Sequence, residues 1–282
     1  MGELEFIRGV GAATRTAVIT GPAAAKLRGL QTLDRVDKVD LLLPGDMRAP
    51  KASTWPDGVA YRSGALLPEH VVTEQGLRVT STIQMVLDTC RYHSPLAALV
   101  VLESARFRRP DVTCADLISL AGTLPRSHGL RDLRRVIRYS AATSQSALET
   151  VGRYSIIEAR IPGLISIRGQ APFEYYDIAG NPLTGKIDLL LNGIIAVELD
   201  GQSKYTSEFV TADERIREKQ LLNHGYLVIR AGWRQVWNGA LALQVANAIR
   251  RVRFLGDDPY SGNVPVPLDD GELARRRAAY RR

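Results

Sequence analysis

The chain is short of cysteine, lysine and aromatic residues, and each shortage excludes something. Two cysteines, Cys90 and Cys114, are too few for a disulfide framework or a zinc site. They are expected to be buried apolar residues. No uninterrupted apolar run approaches the ~20 residues that a membrane-spanning helix needs, so no membrane partner is expected. The opening Met1-Gly2-Glu3-Leu4-Glu5 is acidic where a secretory signal would be basic and then apolar, and a cytoplasmic protein is the expectation. Aromatics make up only 6% of the 282 residues, yet 45% hydrophobic and 24% charged content excludes disorder or fibre over most of the length. No phosphate-cradling glycine loop and no serine–histidine–aspartate ordering is found. The histidines, His70, His93, His128 and His224, lack metal-ligand spacing.

What is present in excess is arginine. Lysine and arginine number 37 against 30 acidic residues, a net charge of +7 that favours a polyanionic partner. Lysine occurs only at 26, 38, 51, 186, 204 and 219, so most of the positive charge is guanidinium, which suits bidentate phosphate contact. Arg131, Arg134, Arg135 and Arg138 fall within about two helical turns, next to Leu133 and Val136. This stripe is either a solvated helix face or a surface that tracks phosphates. DNA is the expected partner, with these four arginines as candidate contacts, and a partner protein or a second copy of the chain stays open.

Gly21 to Leu30 reads as a short helix with proline near its start and glycine near its end. Val36 to Leu43 and Val59 to Arg62 read as strands, separated by the turn signals Pro44-Gly45-Asp46 and Pro56-Asp57-Gly58. Ile83, Val86, Leu87 and Cys90, then Leu96, Leu99, Val100 and Leu102, recur at helical period. A Ser/Ala/Thr-rich stretch, Ser140 to Ser146, marks a boundary. Beyond it the pattern predicts a helix over 147–161, extended segments 165–178 and 185–200, a helix over 213–225, a strand over 226–231 and a helix over 239–253. The strand 226–231 is almost fully apolar, as in a sheet interior covered on both faces. Trp233 and Trp237 are expected to anchor the last helix. The predicted organisation is an α+β domain over 1–139, an α/β domain over 140–255 and a basic tail over 256–282.

The stretch from Gly185 to Gly201 carries the chemistry. Two apolar runs joined at Asn192-Gly193 signal a hairpin. In its second strand alternation places Glu198 and Asp200 on one face and Val197 and Leu199 on the other. Asp188, on the partner strand, lies beside them if the register permits. Carboxylates held ~4 Å apart repel by roughly 4 kcal/mol per pair at an effective dielectric of 20. A divalent cation offsets that repulsion, and Mg²⁺ accepts one or two carboxylates plus waters and phosphate oxygens. Such an ion polarises a phosphodiester and activates water. The competing reading pairs Asp188 and Glu198 with arginines and leaves Asp200 to open a turn with Gly201.

Several landmarks now fall in order. They are a helix with Ser146, Glu149 and Arg153, then Gln170, Asp188, the hairpin, Glu198-x-Asp200-Gly201, Lys204, a helix with Asp213, Arg217 and Leu221, and Gly225 to Arg230. Over about 143–254 this resembles the Vsr-like branch of the PD-(D/E)xK nuclease superfamily. The resemblance implies a restriction-endonuclease-like mixed sheet flanked by helices, and Mg²⁺ or Mn²⁺ held by Asp188 and Glu198, with Asp200 as a further candidate ligand. It also implies Glu149 as assisting acid, Lys204 as the catalytic cation and Gln170 as an amide lining the site. No proline precedes Asp188, Asp200 stands where the superfamily usually has lysine, and Lys204 stands where the branch commonly has histidine. The first half is similar, more loosely, to the C-terminal part of AbiEi-type antitoxin and regulator proteins. That likeness rests on Ala24 to Leu30, Val39 to Pro44, and Gly76 to Ser81 leading into a helix with Leu87-Asp88.

The expected function is therefore metal-dependent hydrolysis of DNA phosphodiesters, in a phage-defence, toxin–antitoxin or repair setting. The alternative is a non-catalytic DNA-binding regulator or antitoxin on a nuclease scaffold, in which the carboxylates are paired to arginine or lysine and bind no ion. A protein-interaction module without nucleic-acid affinity is the third reading.

Overall fold

The structure, a computed structural model, describes residues 2–44, 47–177, 179–201, 212–252 and 264–280, with side chains of 212–215 left aside. The chain divides into two compact units, Met1–Ala142 and Thr143–Arg282, so the division falls inside the Ser140 to Ser146 stretch. Each unit is mixed α/β. Among the described residues no helix is long and apolar enough to cross a membrane.

The first unit opens with α1 (Glu3–Ala13), β1 (Val18–Ile19), α2 (Gly21–Leu27), β2 (Val39–Leu42) and β3 (Val59–Arg62). It continues with β4 (Val71–Glu74) and β5 (Leu77–Thr80), then the helices α3 (Thr82–Tyr92), α4 (Pro95–Arg108), α5 (Cys114–Thr123) and α6 (Leu130–Tyr139). The five strands order β3-β2-β1-β5-β4, with parallel and antiparallel pairs mixed. Gln75 and Gly76, both at positive φ, make the two-residue turn that joins β4 to β5. Ser81 and Ser94 cap α3 and α4 through their hydroxyls. Every residue of α4 from Leu96 to Ser104 is buried, which makes it the central helix of this unit. The two-residue β1 and the short β4 carry too little periodicity to be read from sequence.

The second unit runs α7 (Ala147–Glu158), β6 (Ile167–Tyr176), β7 (Pro182–Leu191), β8 (Ile195–Leu199), α8 (Ala212–Asn223) and β9 (Leu227–Ala231), followed by α9 (Trp233–Asn238), α10 (Ala240–Val252) and α11 (Glu272–Tyr280). Its sheet orders β6-β7-β8-β9, antiparallel except for the parallel β8–β9 pair. Asn192 and Gly193, at φ 48° and 69°, form the turn of the β7–β8 hairpin, closed by Ile194 N donating to Leu191 O at 3.1 Å. The Asn192 amide does more than turn the chain, since its Oδ1 accepts from Ile165 N at 2.9 Å and its Nδ2 donates to Gly163 O at 2.7 Å.

Two expectations need correction. Strand β9 is an edge of the described sheet, and Leu227, Val228 and Ile229 are half-buried, because its apolar run packs against helices without a further strand beside it. The single helix expected over 239–253 is preceded by the short α9, broken off by Gly239 at φ 84°. Residues 264–280, the described part of the basic tail, carry α11 and belong to the second unit. There Glu158 accepts from the backbone of Leu268 and Asp269, and the Arg276 guanidinium lies 5.2 Å from the Trp237 ring centre. Trp233 and Trp237 stack on one another with centroids 5.8 Å apart, half-buried.

Candidate active site

The strand registers of the second unit draw one row across all four strands. Gln170 falls between the pairs Gly169–Leu189 and Ala171–Ile187, and so stands opposite Asp188. One step beyond the pair Leu189–Val197, Asp188 stands opposite Glu198, and Glu198 pairs with Arg230. The row thus reads Gln170, Asp188, Glu198, Arg230.

Hydrogen bonds tighten this row. Asp188 Oδ2 accepts from Leu199 N at 2.8 Å, and Oδ1 accepts from Gln170 Nε2 at 3.2 Å. The same Gln170 Nε2 donates to Glu149 Oε2 at 3.0 Å, and Gln170 Oε1 accepts from Gln145 Nε2 at 2.8 Å. Glu149 is delivered by the start of α7. Ser146 caps that helix by accepting from Glu149 N at 3.2 Å and donates its own hydroxyl to Glu149 Oε1 at 2.9 Å. Ser-x-x-Glu is the spacing of a capping box, so the interaction that starts the helix also aims the carboxylate. Glu198 Oε1 and Oε2 each lie 3.1 Å from Arg217 Nη2 on α8. Arg230 turns to Glu218 instead, at 3.3 Å.

All three carboxylates hold protons more tightly than free ones. Burial pushes Glu198 up to about 7, against the pull of the Arg217 charge. Burial likewise raises Asp188, although Leu199 N and the Gln170 amide oppose it. Glu149 is raised by burial first and by the Asp188 charge as well. In all three, burial is the largest cause, and a neighbouring carboxylate adds to it.

The donor set fits a hard dication. Asp188 and Glu198 offer carboxylate oxygens from adjacent strands, the type of donor such an ion accepts. Asp200 does not join them. Among the described residues no three histidine, cysteine or acidic side chains converge as a ligand group. Strand β8 ends at Leu199, so the alternation that would carry Asp200 to the Glu198 face stops one residue short. Asp200 N donates to Ala231 O at 3.1 Å while its side chain is exposed, and it reaches Asp188 through charge.

Lys204 lies outside the described residues. The α6 arginines sit in the first unit, with Arg131 and Arg138 exposed, Arg134 half-buried and Arg135 paired to Asp132 at 3.4 Å. Leu133, Val136 and Ile137 hold the other face of α6 in the core. Two residues of the site carried no assigned role in the sequence. Arg217 was legible only as a landmark of α8. The one signal for Gln145 is its place just before the Ser-x-x-Glu cap.

No family model matches the chain, and no curated protein or solved structure does either.

Proposed function

We propose that the protein is a metal-dependent DNA endonuclease of the PD-(D/E)xK type, with its active site in the second unit. One observation carries this reading: the strand register sets Asp188 beside Glu198, and the Gln170 amide ties Asp188 to Glu149, with the proton affinities of all three acids raised. Structural carboxylates are usually matched by cations, whereas an acidic excess at one end of a sheet suits a bound dication.

In this reading Asp188 and Glu198 hold Mg²⁺ or Mn²⁺, which supplies Lewis acidity toward a phosphodiester and its attacking water. Leu199 N fixes one oxygen of Asp188, so the carboxylate presents its other edge in a set direction. Gln170 keeps Glu149 and Asp188 at a fixed spacing through a single nitrogen. Glu149, with its raised proton affinity, is assigned the part of the assisting acid beside Asp188. Lys204 is assigned the charge that faces the scissile phosphate, and the α6 arginines are assigned to the DNA backbone.

One observation favours the regulator alternative, the contact of Arg217 with both oxygens of Glu198. The deciding experiment measures the thermal midpoint with and without Mn²⁺, together with cleavage of duplex, single-stranded and mismatched DNA. Binding at one hundred times the dissociation constant stabilises by about 2.7 kcal/mol, and Asp188→Asn and Glu198→Gln are expected to abolish that gain along with cleavage. A wild type that neither shifts with Mn²⁺ nor cuts any of the three substrates leaves the regulator reading in place.

A further inference from the structure

Arg217 is held by three contacts, and only one of them is to an opposite charge. Nη2 lies 3.1 Å from each Glu198 oxygen, and the same nitrogen donates to Lys186 O. The guanidinium carbon also lies 5.8 Å from the centre of the Phe173 ring. A backbone carbonyl and an aromatic face would keep the group in place if Glu198 were engaged elsewhere. Nη2 makes all of these hydrogen bonds, and Nη1 and Nε make none among the described residues. If Glu198 turns to another cation, Nη2 regains with Nη1 or Nε a two-donor edge that matches a phosphate. The sequence adds a second point: the position two residues after Glu198, where the superfamily usually carries its cation, is Asp200.

We propose that Arg217 is a placeholder cation, neutralising Glu198 until a divalent ion takes that carboxylate and then binding the nucleic-acid phosphate beside it. The proposal rests on the nuclease reading above, and it assigns the phosphate contact to a residue on α8. A dication and a guanidinium on the same carboxylate repel one another, so each weakens the hold of the other. Metal affinity and phosphate affinity are thereby coupled through one side chain, with opposite signs when that side chain is removed.

The test uses the full chain and Mn²⁺ alone, read as the loss of the free-ion electron paramagnetic resonance signal on titration. Arg217→Gln keeps a donor for Lys186 O and removes the charge. It is expected to bind Mn²⁺ about fivefold more tightly, the factor equivalent to releasing one partly exposed ion pair. Single-turnover cleavage in the same variant should fall by about 10²-fold, as on loss of one preorganised electrostatic group. This opposition of tighter metal and slower cleavage is not what a merely structural arginine produces. Unchanged or weaker Mn²⁺ binding in a folded Arg217→Gln overturns the proposal while leaving the nuclease reading standing. Should Arg217→Gln fail to fold, Arg217→Lys carries the test. It keeps the charge, so Mn²⁺ affinity stays near wild type while cleavage falls for want of the planar fork, and cleavage at the wild-type rate overturns the proposal. If neither wild type nor variant binds Mn²⁺, the nuclease reading and the placeholder fall together, whereas binding by Arg217→Gln alone supports the placeholder.

Discussion

Replacing Gln170 by glycine and, separately, by alanine distinguishes what its side chain does from what its backbone costs. Among the described residues five other than glycine have positive φ: Gln75, Arg160, Gln170, Asn192 and Asp269. Of these only Gln170 lies within a strand, at φ 51°, with the ladder in register on both sides of it. Left-handed backbone costs a residue with a Cβ about 1–2 kcal/mol and costs glycine nothing. In an ordinary strand glycine is the worse choice, by about 0.5–1 kcal/mol relative to alanine. Both variants lose the amide and its bonds to Glu149, Asp188 and Gln145 equally, so their difference isolates the backbone. The balance leaves Gln170→Gly more stable than Gln170→Ala by about 0.5–1 kcal/mol, the reverse of the usual order. Urea denaturation followed by circular dichroism measures it. Gln170→Asn, whose side chain tolerates this region but is too short to bridge the two acids, should be stable and yet show a reduced Mn²⁺ shift. An alanine variant as stable as the glycine variant, or more so, refutes the strain and with it the view that backbone cost is accepted here to aim an amide.

Three further outcomes are expected. Asp88 is fully buried and pushed up to about 6 from 3.8, so the folded state keeps its proton across that window; the urea midpoint of the first unit should be highest near pH 4, fall as pH rises through 6, and lose that slope in Asp88→Asn. Replacing Arg131, Arg134, Arg135 and Arg138 by alanine should flatten the salt dependence of DNA binding by about 0.9 in the log–log slope per phosphate no longer contacted, and an unchanged slope makes α6 a solvated face. Lys204→Met should retain Mn²⁺ binding while single-turnover cleavage drops by about 10²-fold or more, and equal cleavage by wild type and variant removes Lys204 from the reaction.

Much of the second unit was legible because its signals are local. Asn192-Gly193 demands positive φ at two consecutive positions and therefore a hairpin, and the hairpin's register sets Asp188 opposite Glu198. Asp200 stands one residue past the end of β8 at Leu199, where neighbouring elements and not strand alternation set its side chain. The edge position of β9 was illegible for a similar reason, since an apolar run reports helices packed on its faces but says nothing of a strand beside it. Gln145 and Arg217 depend on contacts across 25 and 19 residues of sequence, which no periodicity carries. In the first unit the strand Val59–Arg62 was readable between turn signals, while β1 and β4 become strands only through their partners.

The buried acids of the two units are balanced in different ways, and the contrast bears on where chemistry occurs. In the first unit Asp40 receives Arg62 Nε at 2.7 Å and lies 2.6 Å from His93 Nε2. Asp88 there receives the Thr20 hydroxyl at 2.6 Å, the Gln84 amide at 3.0 Å and Arg91 at 3.3 Å. Asp88 has no exposed surface, so a proton can meet its residual need but an entering ion cannot, and these groups are ties between β1, α3 and their neighbours. In the second unit Arg217 pairs with Glu198 and acts on Asp188 through charge, while Arg230 is engaged by Glu218 and reaches Glu198 only through charge. Asp188 is only partly buried, so the deficit there is open to solvent and to anything solvent carries. Burying charge without a partner is costly, and in the second unit that cost falls on a row open to solvent, which is where the proposed nuclease reading would place its dication.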